Sequence, residues 1–144
     1  MSLTGAYDDT NVFARILRGE MPAVKVWETN DILAFMDVFP QSRGHVLVVH
    51  KHSRARNILE IEPDNLRELM AGVQRVAHAV TEALAPDGLT IMQFNGEAGG
   101  QTVFHLHVHV IPRWADQPLG RHGGDMADMD ELKSLAQAIS DELR

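Results

Sequence analysis

Apolar positions along the chain fall into two periodicities. Between Pro63 and Gly88, Leu66, Leu69, Met70, Val73, Val76, Ala77, Val80 and Leu84 recur at steps of three and four. That spacing predicts one long amphipathic helix, with Pro63 in its first turn and Ala85-Pro86-Asp87-Gly88 ending it. A shorter helix is predicted over residues 10–18, with Val12, Phe13, Ile16 and Leu17 on one face and Gly19 and Pro22 past its end. A third starts at Asp128, which forms a capping-box pattern with Glu131, and carries Leu132, Leu135, Ala136, Ile139 and Leu143. Five segments rich in Val, Ile, Leu and Phe read as strands, at residues 24–28, 32–36, 45–49, 89–94 and 103–111. Their order predicts an antiparallel α+β sheet. The last two are joined by Asn95-Gly-Glu-Ala-Gly-Gly-Gln-Thr102, long for a hairpin loop and rich in glycine, which points to a loop shaped for a ligand.

At 144 residues the chain is about one domain long, and no linker or internal repeat divides it. Lys and Arg number 13 against 20 Asp and Glu, for a formal charge of -7, so no basic field exists to hold nucleic acid. The absence of cysteine rules out a disulfide framework, a thiolate zinc site and a cysteine nucleophile. No apolar run approaches the roughly 18 residues of a membrane span, and the first residues have no cationic start or apolar stretch. No membrane partner is therefore expected, and the expected location is cytoplasmic.

The candidate chemistry lies in Val103-Phe-His-Leu-His-Val-His-Val-Ile111. Side chains alternate along a strand, so Phe104, Leu106, Val108 and Val110 are expected in the core. His105, His107 and His109 are expected on the other face, with roughly 7 Å between successive Cα atoms. Three neutral imidazoles in a row suit either a nucleophile with its supporting groups or a set of metal ligands. No carboxylate occupies a matching position on that strand, so a metal would need a ligand from elsewhere. Of the other histidines, His50 and His52 read as strand-end surface residues, His78 as solvated on the long helix, and His122 as part of a flexible glycine-rich connection. Trp27 and Trp114 read as packing residues.

The run His105-Leu-His-Val-His-Val-Ile111 resembles the histidine triad (HIT) signature, His-φ-His-φ-His-φ-φ with φ hydrophobic. It is accompanied by Phe13-Ala-Arg-Ile-Leu-Arg-Gly-Glu-Met-Pro22, Ala34-Phe-Met-Asp-Val-Phe-Pro40, Gly44-His-Val-Leu-Val-Val49, and Asn95 with Gly99-Gly-Gln-Thr-Val103. The resemblance spans about residues 12–113 of a single domain taken as residues 1–144, leaving an extension at residues 114–144 with one helix. The N-terminal helix segment is more similar to the Hint-like branch of nucleoside phosphoramidate hydrolases than to the Fhit branch of dinucleoside triphosphate hydrolases. The resemblance implies a HIT-like α+β fold and a homodimer that hydrolyses or transfers nucleotides at the α-phosphate of a small-molecule substrate, with no cofactor and no metal. It further implies His107 as nucleophile, His109 near the leaving group and phosphate oxygens, and His105 and His45 holding the array in its tautomers. Asp37 would bind the ribose hydroxyls, Asn95, Gly100, Gln101 and Thr102 the phosphate, and Phe13, Ile16 and Phe35 the base. Amides of residues 99–102 could form an anion nest. Two positions depart from the pattern: His50 stands where the family often has Pro, and Thr102 where it usually has Ser. Uridylyltransferase relatives have Gln at the third His, so His109 argues for water as final acceptor. A dinucleoside polyphosphate hydrolase and a metal-binding or nucleotide-sensing module are the alternatives.

Overall fold

The computed structural model describes residues 2–121 and 124–143, so His122 lies outside the described residues. The elements run α1 (Val12–Leu17), β1 (Lys25–Glu28), β2 (Ile32–Met36), β3 (Val46–His50), α2 (Pro63–Leu84), β4 (Gly88–Met92), a 3-10 turn (Glu97–Gly99), β5 (Val108–Arg113) and α3 (Met129–Asp141). The strands form one sheet in the order β1-β2-β3-β5-β4 with every neighbouring pair antiparallel. Among the described residues no helix is long and apolar enough to cross a membrane.

Strand alternation divides the core in two. Ile32, Ala34, Met36, Val46, Val48, Val108 and Val110 face α2 and α3, where they meet Leu69, Val73, Val76, Val80, Leu132 and Ile139. Leu33, Phe35, Leu47 and Val49 face the opposite way and are covered by Phe13 of α1. β2 and β3 are thus buried on both faces, which accounts for their continuous apolar runs.

Local chemistry sets the element ends. Asn11 caps α1, its side chain accepting from the Ala14 amide at 2.9 Å, so the helix is shorter than residues 10–18. Asp128 caps α3 by accepting from the Glu131 amide at 3.0 Å. At the end of α2 it is Ala85, ahead of Pro86, that takes the left-handed conformation (φ 50°). Gly44 enters β3 at φ 89°, where a Cβ would run into Leu84 Cδ1 and lie 3.1 Å from Pro112 Cγ, so only glycine fits.

Three expectations are corrected. β5 starts at Val108, five residues later than position 103: β4 ends at Met92, which pairs with His109, and although β3 continues to His50, the chain bends over residues 103–105 and pairing with β3 stops at Val48 opposite Val108. Residues 103–107 lie beyond the sheet, anchored by the Leu106 amide donating to Ala55 O at 3.0 Å. Phe104 consequently leaves the core and is half-buried beneath the Arg56 guanidinium, 5.2 Å from its ring. His50 is buried, at 3% exposure, because it ends a central strand beneath α2, with Glu68 Oε1 3.7 Å from its Nε2. His52 and His78 are exposed.

Candidate active site

Between α1 and the sheet lies a cleft of about 510 Å³, within the range of small-molecule sites. It is walled by the apolar Val12, Phe13, Ile16, Met21, Pro22 and Phe35, and by the polar Asp37, Thr102, His107 and His109. β5 supplies His109, and His107, one residue before the strand, lines the same cleft. The two imidazole centroids are 5.0 Å apart, and the Phe13 ring stands edge-on to His107 at 4.8 Å.

Hydrogen bonds fix different tautomers in the two rings. His107 Nδ1 lies 2.7 Å from the His105 carbonyl, an acceptor only, so Nδ1 carries the proton and Nε2 keeps its lone pair. The Gln41 amide donates to His45 Nδ1 at 3.1 Å, which places the His45 proton on Nε2. That nitrogen is 2.9 Å from His109 Nδ1 and donates to it, leaving the His109 proton on Nε2. One ring thus offers a nucleophilic nitrogen and its neighbour an N–H donor. His105 is buried beside them; desolvation, with the neighbouring His107 adding to it, lowers its pKa to about 4 and keeps it neutral.

The structure gathers most of the residues singled out by sequence. Phe13, Ile16, Phe35, Asp37, Thr102, His107 and His109 line the cleft, with His45 and His105 behind the reacting pair. Asp37 also holds its own turn: Oδ1 accepts from the Phe39 amide at 2.8 Å, while Oδ2 lies 3.5 Å from His45 Nε2. Asn95, Gly100 and Gln101 do not line the cleft. Asn95 Oδ1 accepts from the Ile58 amide. The buried Gln101 side chain accepts from the Gly96 amide and donates to the Arg56 and Val103 carbonyls. The amides of Gly99, Gly100 and Gln101 bond to the Gly96 and Glu97 carbonyls. In this arrangement the glycine-rich loop is closed on itself rather than open as a nest. Sequence reasoning missed Met21 and Pro22 as cleft walls, since Pro22 read only as a helix stop, and it missed Tyr7, whose hydroxyl lies 2.7 Å from His105 Nδ1.

Among the described residues, two clusters bring three potential metal ligands within 4.8 Å of one another: Asp37, His45 and His109, and Asp31, His50 and Glu68. Neither suits a cation in the tautomers present. A ligating nitrogen needs a lone pair, yet the Nδ1 of both His45 and His50 accepts a main-chain N–H, which puts the proton on Nε2. A cation between His45 and His109 would also have to replace the proton those rings share.

The model of the HIT domain matches residues 18–116. Over 143 residues the chain is 30% identical to adenosine 5'-monophosphoramidase hnt1 of Schizosaccharomyces pombe, covering 92% of this chain and 98% of that one. The crystal structure of a Hit-like protein involved in cell-cycle regulation from Bartonella henselae, with an unknown ligand, matches at a TM-score of 0.91 and 41% identity, over 96% of this chain and 100% of that one. A Zn-bound histidine triad family protein from Mycobacterium smegmatis matches at a TM-score of 0.81 and 32% identity, over 93% of each chain. The triad, the fold that carries it and these likenesses agree: the chain belongs to the HIT family.

Proposed function

We propose that the protein hydrolyses nucleoside phosphoramidates and related nucleotides at the α-phosphate, through a nucleotidyl intermediate on His107. The observation that carries this reading is the pair of opposite tautomers, His107 with its proton on Nδ1 and His109 with its proton on Nε2, side by side in a largely apolar cleft. In the first step His107 Nε2 bonds to the α-phosphorus as the bond to the leaving nitrogen breaks. The amine departs with a proton from solvent, and the His109 N–H steadies the charge on the phosphoryl oxygens. Water then cleaves the Nε2–P bond, releasing the nucleoside monophosphate and restoring neutral His107.

The base would lie among Val12, Phe13, Ile16 and Phe35, and the ribose hydroxyls would meet Asp37. The phosphate would rest against Thr102, His107 and His109, with Asn95, Gly100 and Gln101 shaping the loop behind it. The relative named as a monophosphoramidase supports this substrate class. The test is kcat/KM for adenosine phosphoramidate, an aminoacyl adenylate and a dinucleoside polyphosphate. Phosphoramidate is expected to be fastest; a dominant dinucleoside polyphosphate would replace this reading with the alternative.

A homodimer belongs to the same proposal. β4 is an edge strand; its Ile91 shares a surface hollow with Ile58 and Met70, and the three are 45%, 41% and 43% exposed, a patch that fits burial against a second copy. Light scattering is expected to give twice the 16.0 kDa chain mass; the monomer mass across micromolar concentrations would refute it.

A further inference from the structure

We propose that Tyr7 is a positioning residue for this reaction: its hydroxyl holds the His105 ring, and the His105 carbonyl aims His107. The inference rests on the function proposed above and adds a residue to it.

The need for such a brace follows from where the sheet ends. A hydrogen bond from its Nδ1 to the His105 carbonyl at 2.7 Å orients the His107 ring. That carbonyl belongs to residues 103–107, which have no strand partner. On one side the stretch is tied by the Leu106 amide to Ala55 O and by Gln101 Nε2 to Val103 O. On the other it is tied through the His105 side chain, whose Nδ1 lies 2.7 Å from the Tyr7 hydroxyl, the rings meeting edge to face at 5.8 Å. The buried His105 ring is neutral, and among the described residues the phenol has no second hydrogen-bond partner. The phenol is the stronger proton donor of the two, so it donates to Nδ1 and fixes His105 with its proton on Nε2.

Tyr7 is itself seated from two sides. The Arg54 guanidinium lies over its ring at 4.7 Å. The next residue, Asp8, accepts from the Asn11 side chain at 2.8 Å and the Asn11 amide at 3.3 Å, and Asn11 caps α1. Tyr7 therefore joins the helix that walls the cleft to the peptide that orients the nucleophile. Phe13 of that helix touches the same histidines, at 4.8 Å from His107 and 6.4 Å from His105.

The test is Tyr7→Phe, which keeps the aromatic ring and its Arg54 contact and removes only the hydroxyl. With adenosine phosphoramidate, kcat is expected to fall about 10- to 100-fold, the scale of a misplaced reacting group, while KM stays within about twofold, the mark of an interaction that acts on the reaction step. Arg54→Met, which loosens the seat and leaves the hydroxyl, should shift kcat in the same direction and by less. The second readout needs no substrate: 15N spectra of the imidazoles in the intact protein should show His105 leaving its Nε2–H tautomer and the His107 Nδ1–H signal moving in Tyr7→Phe. A variant with altered His105 signals but unchanged His107 signals and kcat would show a structural contact only and overturn the proposal. Unchanged signals at both rings would overturn it as well. If the wild-type protein leaves phosphoramidate intact, the proposed substrate class fails, and the His105 and His107 signals still decide the role of Tyr7.

Discussion

The buried His105 makes the stability of this protein depend on pH in a window that can be worked out in advance. Its pKa is about 4 in the folded protein, against 6.5 for the ordinary side chain. The folded state therefore binds fewer protons than the unfolded chain between those values. By linkage, the contribution is intact above about pH 6.5 and is lost as pH falls towards 4. A shift of about 2.5 units corresponds to about 3 kcal/mol, a large share of a stability that is commonly 5–15 kcal/mol. Urea unfolding at pH 7 and at pH 4, on the wild type and on His105→Asn, isolates the effect, because groups common to both proteins cancel. The wild type should lose about 3 kcal/mol more than the variant over that interval. Equal losses in both would show that His105 is not held neutral by burial, and the tautomer argument built on it would fall.

Three other outcomes follow from particular contacts. Gly44→Ala should destabilise the fold by roughly 2–4 kcal/mol, combining left-handed backbone strain with overpacking against Leu84; Leu84→Ala in the same chain should recover part of it, as read by denaturant midpoints. Asp128→Ala should cost about 1 kcal/mol by removing the α3 cap, lowering the melting temperature without changing turnover. Turnover should survive excess EDTA once elemental analysis shows the protein free of metal, since in each cluster an imidazole, His45 or His50, carries its proton on the nitrogen that would have to ligate; activity lost and then restored by stoichiometric zinc would overturn that argument.

The parts of the fold legible in sequence were those set by local chemistry. The spacing of apolar residues gave α2 because that helix buries one stripe, and Asp128 with Glu131 gave α3 because the cap is a contact between near neighbours. β5 starts later than its alternation of apolar residues and histidines indicates, because alternation is a local signal, whereas the bend at residues 103–105, the Leu106 tie to Ala55 and the end of β4 at Met92 are set by distant partners. The burial of His50 was hidden for the same reason: its flanking Lys51 and His52 look like a strand end in solvent, and the α2 helix that covers it starts 13 residues later. In the glycine-rich loop, Asn95 and Gln101 carry groups equally suited to a phosphate and to the loop's own main chain, and composition does not distinguish those partners. Tyr7 and His105 are 98 positions apart, and no local pattern joins them.

The central claim is that His107 Nε2 attacks phosphorus. Rapid quench into alkali during turnover of adenosine phosphoramidate, followed by mass spectrometry of the peptide spanning residues 104–113, tests it directly, since an imidazole phosphoramidate is stable in base and labile in acid. The account predicts that the peptide gains the mass of an adenylyl group at His107, and that His107→Ala shows neither the adduct nor turnover. No adduct during steady turnover, together with a His107→Ala variant that keeps more than about a tenth of the activity, a factor of only about 1.4 kcal/mol in the barrier, would contradict it and make water the direct nucleophile.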